Sequence, residues 1–239
     1  MYKVERAIIM AAGKGERIRP ITETIPKPLI KVNGKTMIET IIDGLKTNGI
    51  DEIYIVVGYL KEHFRFLEQK YNNLKLIDNT FYNECNNISS LYVARDYIAN
   101  AIILDGDQII YNNKILSPEF ELSGYNCVWT DKETNEWLLT TENGIVTNCS
   151  RTGGKNGWQL FSISRWNKQD GERLKKHIEI EFEDKKNRQI FWDDVALFCY
   201  PEEYKLGIYK MNFEDVVEID NIDELIQIDS SYKKYKTEE

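Results

Sequence analysis

The first half of the chain alternates short apolar runs with amphipathic segments. The apolar runs predict buried strands at 7–10, 53–57, 74–77 and 101–104. A capping box formed by Thr36 and Glu39 predicts the start of a helix that ends at Gly49, and apolar spacing predicts a second helix over 59–71. Strands that alternate with helices form parallel sheets through right-handed crossovers. This half is therefore predicted to be α/β.

Beyond residue 124 the pattern changes to short strands with frequent turns. Strands are predicted at 125–130, 136–141, 145–150 and 158–164, and two more, at 206–211 and 216–219, finish the sheet. Antiparallel strands added to a parallel half give a mixed sheet. We therefore predict one Rossmann-like α/β domain with central parallel strands flanked by helices. It covers 1–228, in two halves at 1–124 and 125–228, and is followed by a polar tail or linker at 229–239.

A glycine-containing loop rich in cations follows the first predicted strand. Gly13 and Gly15 allow a tight turn and a close approach to a ligand. Lys14 and Arg17 lie beside them, and Lys27 stands between two prolines whose fixed φ angles stiffen the segment. The loop is neither a complete dinucleotide fingerprint nor a Walker A motif, and an ordinary glycine turn is the alternative. The combination nevertheless favours a polyphosphate site.

Charge is distributed unevenly along the chain. The net charge is −8, yet the first 35 residues hold eight basic and only three acidic side chains. A small positive region on an acidic body suits a compact polyanion such as a nucleoside triphosphate. The acidic total argues against nucleic acid as a partner, because a binder of the phosphate backbone needs an extended positive face.

Two acidic residues end the strand predicted at 101–104. Asp105 and Asp107 flank a glycine at the carboxyl end of this strand, which is where parallel sheets bind ligands. Two carboxylates so close repel each other unless they meet a cation. Mg²⁺ is usually held by one or two carboxylates together with substrate phosphates, which fits this position. The alternative is an Asp-Gly turn with solvated acids.

Aromatic residues are dense between positions 129 and 192. They are Trp129, Trp137, Trp158, Phe161, Trp166 and Trp192. Glu136 and Asp193 stand next to two of them, and aromatic faces with nearby carboxylates can hold a quaternary ammonium group by cation–π attraction and charge. Because most tryptophans are core residues, we expect only two or three of the six to touch a ligand.

Neither a membrane span nor a signal peptide is predicted, because charged residues begin at Lys3 and no apolar run is long enough. We therefore expect a cytoplasmic protein without a membrane partner. The four cysteines are widely spaced and contain no C-x-x-C pair, so buried free thiols are expected rather than a zinc site or disulfides.

The run Ala11-Ala12-Gly13-Lys14-Gly15-Glu16-Arg17, followed by Pro26-Lys27-Pro28, resembles the signature of nucleotidyltransferases that make sugar nucleotides and CDP-alcohols. In particular, the chain resembles the small bacterial CTP:phosphocholine cytidylyltransferases over nearly its whole length. Further similar stretches are residues 57–62, Asn86-Asn87, Asp105-Gly106-Asp107, residues 135–137, Trp192-Asp193 and Glu218-Ile219-Asp220. The resemblance implies the glycosyltransferase-A-like architecture of these enzymes, with nucleotide bound by 1–124 and acceptor by 125–228.

The resemblance also implies roles for individual residues. Lys27 and Arg17 are the expected catalytic cations, and Asp107 and Asp220 the expected Mg²⁺ ligands, although an acid at a strand end is unremarkable by itself. The residues expected to contact the nucleotide are Ala11, Ala12, Gly13, Lys14, Gly15, Asn86, Asn87, Ser89 and Asp105. The residues expected to contact the acceptor are Glu136, Trp137, Trp158, Trp192 and Asp193. A plain helix cap is the alternative for Asn86, Asn87 and Ser89.

The expected reaction is Mg²⁺-dependent transfer from CTP to phosphocholine, which gives CDP-choline and pyrophosphate. Ile88 and Ser89 stand where these enzymes carry extra aromatic residues, so a primary amine, as in 2-aminoethylphosphonate or phosphoethanolamine, is the alternative acceptor. A sugar-1-phosphate nucleotidyltransferase and a non-catalytic nucleotide sensor are further alternatives. The expected partners are CTP and a small phosphorylated amino-alcohol or aminophosphonate. The chain is expected to be a monomer or homodimer, or one domain of a longer bifunctional polypeptide.

Overall fold

A computed structural model describes residues 1–236 of the chain. The strands in this part are β1 (Tyr2–Lys3), β2 (Arg6–Ala11), β3 (Lys31–Val32), β4 (Lys35–Thr36), β5 (Glu52–Val57), β6 (Leu74–Asp78), β7 (Ala101–Asp105), β8 (Gln108–Ile110), β9 (Glu119–Phe120), β10 (Gly124–Thr130), β11 (Leu138–Glu142), β12 (Ile145–Ser150), β13 (Gly157–Trp166), β14 (Gly207–Lys210) and β15 (Val216–Glu218). The α-helices are α1 (Met37–Thr47), α2 (Arg65–Lys70), α3 (Ile88–Val93), α4 (Lys168–Glu179) and α5 (Ile222–Ile228).

Nine strands form one mixed sheet within the described residues, in the order β10-β14-β12-β11-β13-β7-β2-β5-β6. Strands β7, β2, β5 and β6 are parallel, and β13 joins β7 antiparallel. Two apolar cores cover the faces of the sheet, and β2 contributes alternately to both, with Ile9 on one side and Ile8 on the other. The predicted fold class is confirmed. Strands β2, β5 and β7 are buried at nearly every position, as expected of apolar runs covered on both faces, whereas β6 is the edge strand and only its Leu74 is buried.

Helix α1 begins at the predicted capping box. Thr36 Oγ1 accepts a hydrogen bond from the backbone N–H of Glu39 at 3.3 Å, which satisfies one of the free donors of the first turn. The Glu39 carboxylate accepts from the Thr36 hydroxyl at 2.6 Å and also contacts Lys70. Glu39 therefore links α1 to α2 in addition to helping to cap its own helix.

The last predicted strand lies outside the main sheet, which corrects one expectation. β15 pairs antiparallel with β8 in a separate two-stranded ribbon, with Glu218 opposite Gln108. The ribbon starts directly after Asp107, and the Ile219 N–H donates to the Asp107 carbonyl at 3.4 Å. Pairing therefore brings the chain around Asp220 beside the carboxyl end of β7.

The predicted polar tail is also corrected in part. Ser230–Tyr235 forms a 3-10 helix, and Tyr232 and Tyr235 pack against a small apolar cluster that includes Ile30. The Tyr232 hydroxyl donates to the carbonyl of Lys31 at 2.6 Å. Apolar rings in an otherwise polar segment thus hold it against the domain. Residues 237–239 lie outside the described part of the chain.

All four cysteines are free thiols, but only two of them have the predicted burial. Cys127 and Cys149 are buried, whereas Cys85 and Cys199 are half-buried. Burial raises the pKa of the Cys149 thiol to about 12. Among the described helices, none has the length and apolar character that crossing a bilayer requires.

Candidate active site

The loop after β2 folds tightly around Lys27. Gly15 has φ +62°, and a Cβ at this position would lie 2.9 Å from the Lys27 Cβ. Only glycine combines that backbone conformation with so close an approach. The Thr22 hydroxyl donates to the Gly15 carbonyl at 2.9 Å and fixes the turn. By contrast, a Cβ on Gly13 would meet no atom within 4 Å, because Gly13 faces an open cavity.

Lys27 is a buried cation that meets two acids. It lies in a 3-10 turn (Lys27–Leu29), and only 7% of the surface of Lys27 is exposed to solvent. Its Nζ is 2.6 Å from Asp107 Oδ2 and 3.1 Å from Asp220 Oδ1. Burial alone lowers the pKa of Lys27, but Asp107 and Asp220 outweigh burial and raise the pKa above its ordinary value. Lys27 is therefore held in its charged form.

Three carboxylates share this region. Asp107, Glu218 and Asp220 each offer an oxygen within 4.8 Å of the others. Arg17 also pairs with Asp220, with its Nη2 2.7 Å from Oδ1. Burial and the neighbouring Asp107 raise the pKa of Glu218 well above its ordinary value. The cluster therefore contains three carboxyl groups, whereas only two cations, Lys27 and Arg17, pair with it.

The donor set of this cluster fits a hard divalent cation. Asp107 Oδ1 is buried and has no hydrogen-bond partner among residues 1–236. Buried carboxylate oxygens seldom stay without a partner, so this oxygen is available to a ligand. Oxygen donors from one or two carboxylates are typical of Mg²⁺ sites that also use substrate phosphates. The structure thus brings together the two predicted ligands and adds Glu218, which the sequence analysis missed although it stands two residues before Asp220.

Two adjoining cavities of about 370 Å³ each flank the glycine loop. Ala11, Arg17, Lys27, Asp107 and Asp220 line the first, here named the phosphate cavity. The second, named the base cavity, is lined by residues that include Ala12, Lys14, Asn86, Asn87 and Ser89. Gly13 and Gly15 line both. Eight of the nine residues predicted to contact the nucleotide therefore border one continuous cleft.

A third cavity, of about 170 Å³, adjoins the cleft and is named the acceptor cavity. The ninth predicted nucleotide residue, Asp105, lies here, where burial and Asp107 raise its pKa to about 7. The complete lining is Asn87, Asp105, Glu136, Trp137, Leu160, Ser162, Phe191, Asp193 and Glu218. Asn87 also lines the base cavity. This cavity therefore adjoins the base cavity at Asn87 and the carboxylate cluster at Glu218.

The asparagine pair is tied to the segment that forms the acceptor cavity. Asn86 Nδ2 donates to the carbonyl of Gln189 at 3.1 Å. Asn87 Oδ1 accepts from the backbone N–H of Trp192 at 2.9 Å. The side chain of Asn87, the residue before α3, makes no capping hydrogen bond, and the side chains of the pair instead join the base cavity to the chain around residue 190.

Three of the five predicted acceptor residues line the acceptor cavity, and two tryptophans do not. Trp192 is 1% exposed and packs in the core against Trp166, with ring centroids 6.1 Å apart. Trp158 packs edge-to-face on Trp129 at 5.2 Å, with Lys210 Nζ 5.2 Å from its ring centroid. Both positions correct the expectation drawn from the sequence. Trp192 serves the core, and Trp158 belongs to a neighbouring aromatic pair.

Two residues that the sequence analysis missed shape the wall of this cavity. Phe191 lines it and contacts Trp137 edge-to-face at 5.7 Å. Arg151 Nη2 lies 2.6 Å from Asp194 Oδ1, and its guanidinium carbon lies 3.9 Å from the centroid of the Phe198 ring and 5.8 Å from that of Trp137. Arg151 thus supports the aromatic wall from behind.

Comparison with known proteins agrees with this geometry. The Nucleotidyl transferase family matches residues 6–117, which contain the glycine loop and Asp107. The 2-aminoethylphosphonate cytidylyltransferase of Lancefieldella rimae is 37% identical over 229 residues, which are 95% of this chain and 92% of that protein. The chain belongs to the nucleotidyltransferase family. Other relatives of this nucleotidyltransferase include the choline-phosphate cytidylyltransferase of Streptococcus pneumoniae, 33% identical over 95% of this chain and 98% of that protein.

A solved structure of CTP:phosphocholine cytidylyltransferase from Streptococcus pneumoniae superimposes on this nucleotidyltransferase with a TM-score of 0.89. The two sequences are 32% identical, and the superposition covers 96% of this chain and 99% of the Streptococcus pneumoniae chain. The family and the enzyme class expected from the sequence are confirmed.

Proposed function

We propose that this nucleotidyltransferase transfers the cytidylyl group of CTP to an oxygen of a small phosphonate or phosphate that carries a primary ammonium group. 2-Aminoethylphosphonate is the proposed acceptor, and pyrophosphate is the second product. Support for CTP comes from the relatives, which are named as cytidylyltransferases of 2-aminoethylphosphonate or choline phosphate. Support for the acceptor comes from the composition of the acceptor cavity.

The observation that carries this choice is the balance of acids and aromatic rings in the acceptor cavity. Glu136 and Asp193 line it together with only two aromatic residues, Trp137 and Phe191. A quaternary ammonium donates no hydrogen bond and is bound best inside a cage of aromatic faces. A primary ammonium donates three hydrogen bonds and pairs well with carboxylates. Since Trp158 and Trp192 lie elsewhere, the cavity favours the primary amine.

The proposed chemistry needs no general base. A phosphonate or a phosphate monoester already carries an ionised oxygen at neutral pH, and a phosphate monoester, with a second pKa of about 6, is largely a dianion. One of the acceptor oxygens attacks the α-phosphorus of CTP, a new P–O bond forms, and the bond to the pyrophosphate leaving group breaks in line. Catalysis then consists of alignment and charge stabilisation. Lys27 is proposed to contact the attacking and α-phosphate oxygens, and Arg17 the β- and γ-phosphates.

Asp107 and Asp220, joined by Glu218, are the residues proposed to hold Mg²⁺. The ion would supply positive charge beside the triphosphate, where negative charge develops on the leaving group. The free Oδ1 of Asp107 and the excess of acids over cations support this assignment.

Phosphocholine is the second candidate acceptor, since the superimposed structure with a TM-score of 0.89 is a CTP:phosphocholine cytidylyltransferase. Pyrophosphate release should be followed with CTP, Mg²⁺ and each of 2-aminoethylphosphonate, phosphoethanolamine and phosphocholine in parallel. We expect the highest kcat/KM for 2-aminoethylphosphonate. A higher value for phosphocholine would contradict the assignment of a primary amine, and no release with any acceptor would contradict the proposed transfer.

A further inference from the structure

The backbone around Asp220 is attached to the protein on two sides. The N–H of Ile219, the residue before it, donates to the carbonyl of Asp107 at 3.4 Å. The N–H of Asp220 itself donates to Glu224 Oε2 at 2.6 Å. The first hydrogen bond ties this stretch to the end of β7, and the second ties it to α5. Together they fix the backbone from which the Asp220 carboxylate reaches the two cations of the site.

Glu224 uses both oxygens of its carboxylate to hold the residues that lead into α5. Its Oε1 accepts from Asn221 Nδ2 at 2.7 Å, while Asn221 Oδ1 accepts from the backbone N–H of Glu224 at 3.0 Å. In an ordinary capping box the glutamate returns to the N–H of the capping residue. Here its other oxygen passes Asn221 and takes the N–H of Asp220 instead. The helix cap is thus extended by one residue, to the proposed metal ligand.

Helix α5 is a firm support for this contact, because it packs on the same apolar cluster as the site residues. Leu225 is fully buried in the small apolar cluster, together with Ile18 and Ile219. Ile18 follows Arg17 and Ile219 precedes Asp220, so one cluster supports both partners of that ion pair. A shift of α5 would disturb this packing, and the carboxylate that α5 carries is therefore held in place.

We infer that Glu224 is a positioning residue of the nucleotidyl-transfer site: it holds the Asp220 backbone so that the carboxylate meets Lys27 and Arg17 and can serve as a metal ligand. This inference rests on the proposed function, in which Asp220 holds Mg²⁺ beside CTP. Residues that orient a metal ligand contribute to metal affinity without touching the metal, and their loss typically lowers that affinity by about 10- to 100-fold. Glu224 does not line the phosphate cavity, so its substitution should leave the contacts to the nucleotide intact.

The test measures two affinities in the full chain and its variants. Mn²⁺ binding with saturating CTP is followed by electron paramagnetic resonance, and CTP binding in EDTA is followed by calorimetry. Glu224→Gln keeps the size of the side chain, but its amide has only one oxygen for two donors. Glu224→Asp keeps the charge and withdraws the carboxylate by one methylene. In each we expect Mn²⁺ affinity to fall by about tenfold or more, and CTP affinity without metal to change by no more than about twofold.

Asp223→Asn is the matched control for Glu224→Gln. Asp223 is an exposed acid in the same first turn of α5, and it pairs with Lys236 rather than holding Asp220. The control removes the same charge from the same turn but leaves the Asp220 N–H with its acceptor. Mn²⁺ affinity should therefore change by no more than about twofold, because exposed charges are screened by solvent.

The double variant Asn221→Asp/Glu224→Gln exchanges the amide and the carboxylate. The new carboxylate at position 221 can accept both from the new amide at position 224 and from the helix N–H, which leaves the amide oxygen free for the Asp220 N–H. Aspartate also caps helices well. We expect this variant to recover most of the Mn²⁺ affinity that Glu224→Gln loses, a result that general damage to the protein would not produce.

Circular dichroism melts show whether each variant is folded, and Glu224→Asp decides the matter if Glu224→Gln is not. A folded variant of Glu224 with the Mn²⁺ affinity of the full chain overturns the inference. An equal loss in Asp223→Asn, or a double variant as weak as Glu224→Gln, overturns it as well. If Mn²⁺ affinity depends on Glu224 as expected but the full chain releases no pyrophosphate with any amine acceptor, the proposed transfer is contradicted and the positioning role is supported.

Discussion

Lys27 Nζ lies 2.6 Å from Asp107 Oδ2, although the two residues are 80 positions apart in the chain. The pair joins the proline-stiffened segment after β2 to the carboxyl end of β7. The buried ammonium partly neutralises the carboxylate cluster. We propose that, when the triphosphate binds, Lys27 turns to phosphate oxygens and leaves Asp107 and Asp220 as the residues that would hold Mg²⁺. The same contact thus keeps the cation charged, buried and close to the reacting atoms.

The first prediction concerns Lys27 itself. Lys27→Met keeps the apolar stem and removes the charge, so kcat should fall by about 100-fold or more, as when one preorganised donor to a developing charge is lost. Lys31→Met, at an exposed cation four residues further on, is the matched control and should retain most of its activity. Steady-state pyrophosphate release measures both. Wild-type kcat in a folded Lys27→Met protein would exclude Lys27 from the chemistry.

The second prediction concerns the metal. EDTA should abolish turnover, and added Mg²⁺ should restore it. In addition, titration with Mn²⁺ followed by electron paramagnetic resonance should show weak binding to the free protein and tight binding with CTP. The reason is that Lys27 and Arg17 pair with Asp107 and Asp220, and the triphosphate is expected to draw these cations away from the carboxylates. Equal Mn²⁺ affinity with and without CTP would show that these ion pairs do not compete with the metal.

The third prediction is that Arg151, behind the aromatic wall of the acceptor cavity, affects acceptor binding but not nucleotide binding. Arg151→Gln breaks the pair with Asp194, whose side chain is 4% exposed, and removes the cation that stacks on Phe198. Because the Arg151 side chain is 48% exposed, solvent screens the pair, and its loss is expected to lower the free energy of unfolding by only about 1 kcal/mol. The KM for the acceptor should rise several-fold, while the KM for CTP stays near its wild-type value.

Lys155→Gln is the matched control for Arg151→Gln, since Lys155 is an exposed cation of the same loop. Urea unfolding and steady-state kinetics on both variants supply the comparison. If the KM values for CTP and for the acceptor rise equally in Arg151→Gln, the substitution disturbs the whole protein. If neither KM value changes, Arg151 has no role in shaping the acceptor cavity.

The fourth prediction concerns pH. Burial, together with the charge of Asp105, raises the pKa of Asp193 well above its ordinary value. The folded protein therefore holds this proton more tightly than the unfolded chain does, so the contribution of Asp193 to stability falls as pH rises from about 4 through the folded-state pKa. In Asp193→Asn the side chain does not titrate, so its contribution to stability does not fall as the pH rises. Its free energy of unfolding should exceed that of the wild type at pH 8, by about 1.4 kcal/mol for each unit of raised pKa, and the gap should narrow below pH 4.

Urea denaturation of both proteins at a series of pH values, without substrates, measures this difference. The same variant should bind the amine acceptor poorly, because it lacks the charge proposed to meet the ammonium. A constant difference in stability across the pH range would contradict the raised pKa of Asp193.

The sequence allowed prediction of the parallel half and of the phosphate cavity for a clear physical reason. Strands buried on both faces leave continuous apolar runs, and the carboxyl ends of such strands collect at one edge of the sheet. The loop at Gly13 follows β2, and Asp105 and Asp107 lie at the end of β7, which is the neighbour of β2 in the sheet. Their convergence could therefore be predicted without knowledge of the tertiary contacts.

The acceptor cavity was less predictable, because it depends on segments without regular periodicity. Phe191 and Trp192 are adjacent, yet Phe191 is 45% exposed at the cavity and Trp192 is 1% exposed in the core. No repeat of 2 or 3.6 residues covers this stretch to tell which ring faces inward. The pairing of Arg151 with Asp194 is likewise a tertiary contact. Glu218 carried a usable signal, since it ends β15 two residues before Asp220, and alternate residues of an extended segment point the same way.

The most direct test of the account is a crystal structure of the protein with a non-hydrolysable CTP analogue and Mn²⁺, using anomalous scattering to locate the metal. We predict a manganese peak bound by Asp107 and Asp220, a triphosphate over Gly13 and Gly15, and Lys27 Nζ in contact with the α-phosphate. A manganese peak away from these carboxylates, or a triphosphate bound outside the glycine loop, would contradict the claim that these distant residues form one nucleotidyl-transfer site.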